Sequence, residues 1–456
     1  MERLESLSHE ELIQVILDQN RMIVQLRAEI EQLKRRSGAA PFSKGTRKKN
    51  PKRPGRKPGQ GNFRHRGAPQ QSPGGGPEPV NVPVNATYCA DCGGGLGEAR
   101  VETVSTTDIP EQPQPEVQVF AVEVRRCGKC GKTVRGEHPS LAPDQYGATA
   151  HRVGPRVKAL AHIIHYMHGV TVRKTPAILQ ALTGIRITQG AITQDAMKQT
   201  TGSVGDHYAE LRASVRQQAV VHTDDTGWRM GGQAAQLMAF VNPVLSVYQV
   251  RPQHRNEEVR ELLPADFAGV MVCDRGRAYD AQELEDVKQQ KCLSHLIRNA
   301  DAVEKKKTGS AQRFSRTLKD ILRRAIPLGA GRNEMEATEY ALRVEELDDE
   351  LTIHLRNRAF RDKDNQRLLN GIGAQHDLGH VLRFLSEDGI EPTNNRAERD
   401  LRPAVIARKV SQCSKNERGA RAFEAFTSVI HTIRKTNPSG IVATLIQLFA
   451  RQPTPT

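Results

Sequence analysis

Three acidic residues stand in settings that leave few folds open to this chain. Asp224 follows the run Ala219-Val220-Val221-His222-Thr223, and Asp274 follows Gly269-Val270-Met271-Val272-Cys273. Both runs are short, mostly apolar and rich in β-branched residues, the pattern of buried strands. Each strand is expected to close at its aspartate. Glu398 lies far downstream, in Thr393-Asn394-Asn395-Arg396-Ala397-Glu398-Arg399, where a helical pattern opens. Two strand-end carboxylates and one helix carboxylate can hold two divalent cations. Such a pair, ~3.5–4 Å apart, clamps the attacking and leaving oxygens of a phosphoryl transfer. The chemistry implied is cleavage or strand transfer at a phosphodiester. Plainer roles compete: either aspartate suits a turn, and Glu398, three residues after Asn395, has the spacing of a capping box.

The 456 residues carry a net charge of +15, unevenly spread. From Lys34 to Gly67 there are thirteen Lys or Arg and no acid. Arg47, Lys48, Lys49, Lys52, Arg53, Arg56 and Lys57 fall among Pro and Gly, which prevent a regular helix. Such an arm is drawn to nucleic-acid phosphates by counterion release, although charge runs also serve as solvated linkers. No apolar run approaches the ~20 residues of a membrane span. The N-terminus lacks a secretory pattern. A soluble cytoplasmic protein, associated with the nucleoid through DNA and making no membrane contact, is therefore expected.

Ahead of the arm, Leu12, Ile16, Gln19, Ile23, Leu26, Ile30 and Leu33 alternate in steps of four and three. That is a coiled-coil seam with one polar position, compatible with a homodimer or higher oligomer or with packing on the same chain. Behind the arm come Cys89-Ala90-Asp91-Cys92 and Cys127-Gly128-Lys129-Cys130, each followed by glycine. Paired thiols with knuckle glycines imply one structural Zn²⁺ in a zinc-ribbon-like module. The alternating run Val117–Val124 reads as one of its strands. The other cysteines, Cys273, Cys292 and Cys413, are scattered, which argues against a disulfide framework. Pro176–Leu182, Thr183-Gly184-Ile185 and Thr188–Ile192 read as helix, glycine turn, helix, the order of a helix-turn-helix, though other helical hairpins share it.

The core begins near Gln217. Strands are expected at 219–223, 236–242, 244–250, 269–273 and 291–294, with a helix at 256–263. Three strands in a row, then a helix and further strands, is the order of a ribonuclease-H-like domain. About a hundred charged, mostly helical residues separate His295 from Glu398, too many for a loop, and imply an inserted subdomain.

These motifs, in this order, resemble the insertion-sequence transposases of the IS-sixty-six type. The resemblance rests on the leucine-rich first helix, Gly55-Arg56-Lys57-Pro58-Gly59 and the double Cys-x-x-Cys. It continues through Asp224-Asp225-Thr226-Gly227-Trp228, Asp274-Arg275-Gly276-Arg277-Ala278-Tyr279, Cys292-Leu293-Ser294-His295, Asn394-Asn395-Arg396-Ala397-Glu398-Arg399 and Arg408-Lys409. Asp225, Leu293 and Ser294 depart from the usual pattern. The resemblance implies a DDE transposase that binds terminal inverted repeats, cleaves DNA and transfers strands, using Mg²⁺ or Mn²⁺ held by Asp224, Asp274 and Glu398. It implies that His295 stands beside this site, and that small accessory proteins take part. Arg399 and Arg402 are candidates for phosphate contact or for pairing with Glu398 or Asp400. Trp228 is read as core or as a base-stacking residue. Two rival readings are a catalytically silent, transposase-derived DNA-binding protein and a structure-specific nuclease on the same core.

The expected organisation is multidomain α+β. It comprises a coiled-coil helix (1–36), a basic linker (37–86), a zinc-binding module (87–135), a helical DNA-binding region (145–215) and a ribonuclease-H-like catalytic core (216–300). A helical insertion (301–388), the second part of the core with the Glu398 helix (389–435) and a C-terminal helix and tail (436–456) follow.

Overall fold

The computed structural model describes residues 10, 13–14, 17–19, 21–23, 25–26, 82–88, 91–95, 97–98, 115–139, 141, 145–147, 150–356, 358–411 and 413–450. The chain divides into two units, Met1–Glu111 and Gln112–Thr456. In the first unit the described positions between Glu10 and Leu26 are helical and exposed, Ile23 and Leu26 among them. Of the predicted seam Gln19 is also helical and exposed, whereas Leu12, Ile16, Ile30 and Leu33, the arm residues Arg47 to Lys57, and Cys89 lie outside the described residues. Among the described residues no helix is long and apolar enough to cross a membrane.

The second unit is a mixed α+β fold around a central five-stranded sheet. It begins with a small hairpin, β1 (Val124–Arg126) against β2 (Thr133–Arg135). The alternating run before it does not become a strand, although Val124 was its expected last residue. Alternation is not sufficient without a partner, and β2 is only three residues long. Four helices follow: α1 (Pro155–His162), α2 (Thr175–Thr183), α3 (Gln189–Thr200) and α4 (Ser203–Val215). Gly184 ends α2 in the left-handed region at φ 70°, which costs glycine no Cβ clash. Thr188 caps α3 through the Ala191 N–H.

The sheet is built from β3 (Val220–Met230), β4 (Gln233–Val241), β5 (Ser246–Arg251), β6 (Val270–Cys273) and β7 (Gln289–Lys291), in the order β5-β4-β3-β6-β7. The first three strands form an antiparallel meander, and β3, β6 and β7 run parallel. A short helix, α5 (Asn256–Arg260), precedes β6. Three expectations are corrected here. The strand at Asp224 does not close there but continues to Met230, because β4 pairs with it along that whole length. The helix expected at 256–263 ends at Arg260. The last strand ends at Lys291, and Leu293 and Ser294 already belong to the next helix.

Successive residues of the central strands serve opposite faces, as the strand period of two requires. Val221, Met271 and Cys273 join one apolar core with α4, α12 (Glu417–Thr436) and α13 (Ile441–Ala450). Val220, Val270 and Val272 join the other, with α6 (Leu293–Glu304), α7 (Arg313–Ala330), α8 (Ala337–Leu355), α9 (Lys363–Asp377) and α10 (Arg383–Ser386). The helices inserted in sequence thus share their core with the sheet. The remaining helix, α11 (Asn395–Ser411), lies against β3 and β4.

Both sheet edges are covered, which removes the pairing hazard of free strand edges. On β5 the N–H groups of Ser246, Tyr248 and Val250, two residues apart, donate to Thr432, Ser428 and Glu424 of α12, four apart. Thr432 Oγ1 also donates to the Ser246 carbonyl at 3.0 Å. On β7 the Lys291 N–H donates to the His380 carbonyl at 2.7 Å, and Gln290 exchanges bonds with Val381 and Phe384. Thr432→Val keeps the shape of the side chain but leaves a buried donor and acceptor unpaired. It is expected to lower stability by ~1–3 kcal/mol, read as a lower urea midpoint at unchanged slope. An unmoved midpoint would show that α12 does not anchor this edge.

Candidate active site

Strand register brings the two aspartates together. The parallel ladder pairs Val220 with Val270, Val221 with Met271 and His222 with Val272. Asp224 and Asp274 each lie two residues past the last pair, on neighbouring strands ~4.8 Å apart. Both belong to the face shared by Val220 and Val272, towards α6. Asp225 belongs to the opposite face, where its carboxylate is 3.1 Å from His254 Nδ1.

The third carboxylate arrives from α11, and its placement depends on Asn394. This residue is fully buried. Its amide donates to the Thr223 carbonyl at 2.8 Å, and its backbone N–H donates to Cys292 Sγ at 3.2 Å. The Leu293 N–H in turn donates to the Pro392 carbonyl at 2.9 Å. The start of α11 is thereby fixed to β3 and to the start of α6, and Glu398 sits in its first turn. The capping-box alternative gives way: Asn395 is already helical, and Glu398 faces His295 and Arg298 instead.

His295, on α6, stands between two of the carboxylates. Its Nδ1 is 2.7 Å from Asp274 Oδ1 and its Nε2 is 3.8 Å from Glu398 Oε1. Arg298, three residues on and on the same helix face, is 3.8 Å from Glu398. Asp274 foremost, then Cys292, raise the imidazole pKa to about 10. Asp224 moves upward too, to about 7. Burial is the main cause and the charges of Asp274, Asp225 and Glu398 add to it, against the Asp225 N–H that donates to it at 2.9 Å.

These residues fit a divalent cation. Asp274 Oδ1 and His295 Nδ1 are buried, and despite their closeness neither gains a well-angled hydrogen bond. Among the described residues, the ligand atoms of Asp274, Cys292 and His295 all lie within 4.8 Å of one another. Asp224 and Glu398 stand beside this group. A hard cation such as Mg²⁺ favours the oxygens, and the Cys292 sulfur is already engaged by Asn394. Asp274 joins Cys292 and His295 from the end of β6 rather than from a nearby motif.

The other candidates separate. Asp400 is held by Ser246 at 2.9 Å and Lys435 at 2.5 Å, so it does not pair with Arg399 or Arg402. Those two arginines are exposed on one face of α11 and, among the described residues, make no ion pair. Trp228 is core: it is 4 % exposed, packs on Phe423 and donates to Ser414. Cys127 and Cys130 occupy the turn between β1 and β2. Gly131 there has φ 72°, and its N–H donates to the Cys127 carbonyl at 2.9 Å. Backbone N–H groups of Cys130 and then Lys129 lower the Cys127 thiol pKa, which favours the thiolate a metal requires. Cys92 is exposed in the first unit.

The sequence pattern did not reveal Asn394 as an anchor, because its partners are a backbone carbonyl and a thiol far away in the chain. Asn394→Ala is expected to cost ~1–3 kcal/mol, since it leaves the Thr223 carbonyl buried and unpaired. It should also weaken Mg²⁺ binding measured by calorimetry, because Glu398 loses its fixed position. Unchanged stability and Mg²⁺ affinity would show that the junction does not position the helix.

No curated protein matches the chain. The family model described as Transposase IS66 family matches residues 151–422, which span the helices α1–α4, the sheet and the three carboxylates. With more than half its length so matched, the chain belongs to the IS66 family of transposases.

Proposed function

We propose that this protein is a DDE transposase of a bacterial insertion sequence, and that it cleaves and joins DNA at Asp224, Asp274 and Glu398. The observation that carries the reading is the meeting of Asp274 and Glu398 around His295, with Asp224 beside Asp274 on the neighbouring parallel strand. They would hold Mg²⁺ or Mn²⁺. The chemistry supplied by cations bound there would be activation of water or of a 3′-OH and neutralisation of phosphate charge. The chain's own residues orient and exclude. His295 and Arg298 hold Asp274 and Glu398 in place as positioning residues. The Asn394 junction fixes the carboxylates in advance, so little rearrangement is needed during reaction.

DNA binding is assigned to several parts. The Lys34–Gly67 arm supplies sequence-independent attraction. Arg399 and Arg402, which make no ion pair among the described residues, lie on the helix that carries Glu398. The α2–α3 helix pair and the cysteine knuckle serve recognition of the terminal inverted repeats, with Zn²⁺ held by Cys89, Cys92, Cys127 and Cys130. The exposed apolar residues of the first helix pair protomers, and small accessory proteins complete the assembly in the cytoplasm, at the nucleoid. The rivals are a silent DNA-binding descendant, which would not nick DNA, and a structure-specific nuclease, which would cut without joining.

Asp224→Asn, Asp274→Asn and Glu398→Gln should each lower metal-dependent nicking and joining by roughly 10²-fold or more, the usual scale for losing one charge-stabilising group. DNA binding should persist. Asp225→Asn, on the opposite face with His254, should keep substantial activity. Joined products from all three carboxylate variants would defeat the reading. Elemental analysis should find one zinc per chain, and Cys127→Ser should lack it, since structural zinc requires its full thiolate set. Purified protein without zinc and with four free thiols would remove the metal from the cysteine module.

A further inference from the structure

Arg275 is joined directly to Asp274, and it lines a cleft of about 620 Å³ with Phe360, Lys363, Gln366, Arg367 and Asn370. Three of these six side chains are cationic. Arg275 Nη1 is buried without a hydrogen-bond partner. Its guanidinium lies against Gly371, in the middle of α9, where a Cβ would come within 2.1 Å of Nη1. Glycine is a poor residue for a helix interior. Its presence here follows from the close approach of the arginine.

The acids nearby are already committed. Asp362 caps α9 by accepting the Asn365 N–H at 2.9 Å. Asp362 and Asp364 share Lys307, at 2.5 and 2.9 Å. Arg367 reaches Asp364 only at 3.9 Å, and among the described residues Lys363 and Arg275 make no ion pair. Gln366 accepts the Phe360 N–H at 2.6 Å and donates to Asn370 Oδ1 at 2.7 Å, which turns the Asn370 amide donor towards further partners. The cleft therefore offers cationic and amide donors, and half-buried Arg275 has its Nη1 without a hydrogen-bond partner. Arginine's planar fork matches phosphate oxygens. Phe360 adds an apolar wall suited to a sugar or base.

We propose that this cleft binds the phosphodiester backbone of the DNA strand that passes the carboxylate site. It begins one peptide unit from Asp274, ~3.8 Å between Cα atoms. The inserted helices, through α9, would thereby hold the strand beside the reacting phosphate. This inference rests on the transposase reading.

The test uses the full chain carrying Asp224→Asn, so that DNA is bound and not cut, with a short mixed-sequence duplex as probe. The slope of log affinity against log salt is compared between variants. Each phosphate contact contributes ~0.9 to that slope. Lys363→Gln with Arg367→Gln should flatten it by ~2. Gly371→Ala, which favours the helix while displacing the Arg275 guanidinium, should flatten it by ~1. Arg324→Gln with Arg343→Gln, which removes the same charge from arginines paired with Glu350 and Glu339, should leave it unchanged. The Lys363 amine should also be protected from acylation by bound duplex. Parent-like slopes in the cleft variants, equal flattening by the control pair, or an unprotected Lys363 would overturn the proposal. A parent chain that binds no DNA would overturn both this proposal and the transposase reading. Cutting that survives the carboxylate substitutions would defeat only the latter.

Discussion

The parallel pairing of β3 with β6 is the constraint on which the rest depends. Its register sets Asp224 beside Asp274. It also divides the side chains of both strands between two apolar cores, one under α4, α12 and α13 and one under α6 to α10. A slip of one residue would exchange every side chain between the faces. Asp225 and Thr223 would then turn towards α6, and Val220 and Val272 would no longer meet the same core. The carboxylate geometry is thus held by the burial of Val220, Val221, Val270, Met271 and Val272, which is collectively far stronger than any single polar contact at the site.

Polar groups do the finer positioning, and they act where the apolar pattern gives no direction. Asn394 joins Thr223 and Cys292. Lys291, wholly buried on β7, is paired with Asp280 at 2.6 Å and bonded to Gln289. A buried ammonium is costly unless its partners are well placed. These bonds fix the edge of the sheet against the loop that follows Asp274. The opposite edge is fixed by Glu424, Ser428 and Thr432. A helix repeat of about four and a strand repeat of two let one helix face satisfy alternate strand N–H groups.

How legible all this is in sequence follows from the same physics. The runs before Asp224 and Asp274 were readable because a strand buried on both faces is β-branched and apolar throughout. The continuation of β3 through Asp225, Thr226 and Gly227 was not, since its polar composition resembles a turn and its partner strand is what keeps it extended. β7 was misplaced for a related reason: Gln289, Gln290 and Lys291 are buried polar residues whose bonds run to distant loops, so the apolar signal appears two residues late, on α6. Val117–Val124 erred in the other direction, having the alternation without the partner. The meeting of Asp274 with Cys292 and His295 is not visible in their spacing, because Asp274 arrives from the end of a different strand.

One further consequence concerns charge. A site that gathers three carboxylates repels DNA, yet on the proposed reading DNA must approach within bonding distance of them. The chain reconciles these demands by separation over short distances. In two of the three stretches the acid is followed by a cation, Asp274 by Arg275 and Glu398 by Arg399, with Arg298 on the neighbouring helix. Asp224 is followed by Asp225, whose charge is directed to His254 on the other face. Charges this close in sequence act on the same stretch of substrate, whereas exposed charges farther off than the Debye length of ~10 Å are largely screened. The two signs would then select different parts of one substrate: the cations the unreacting backbone, and the carboxylates, through bound metal, the phosphate that reacts.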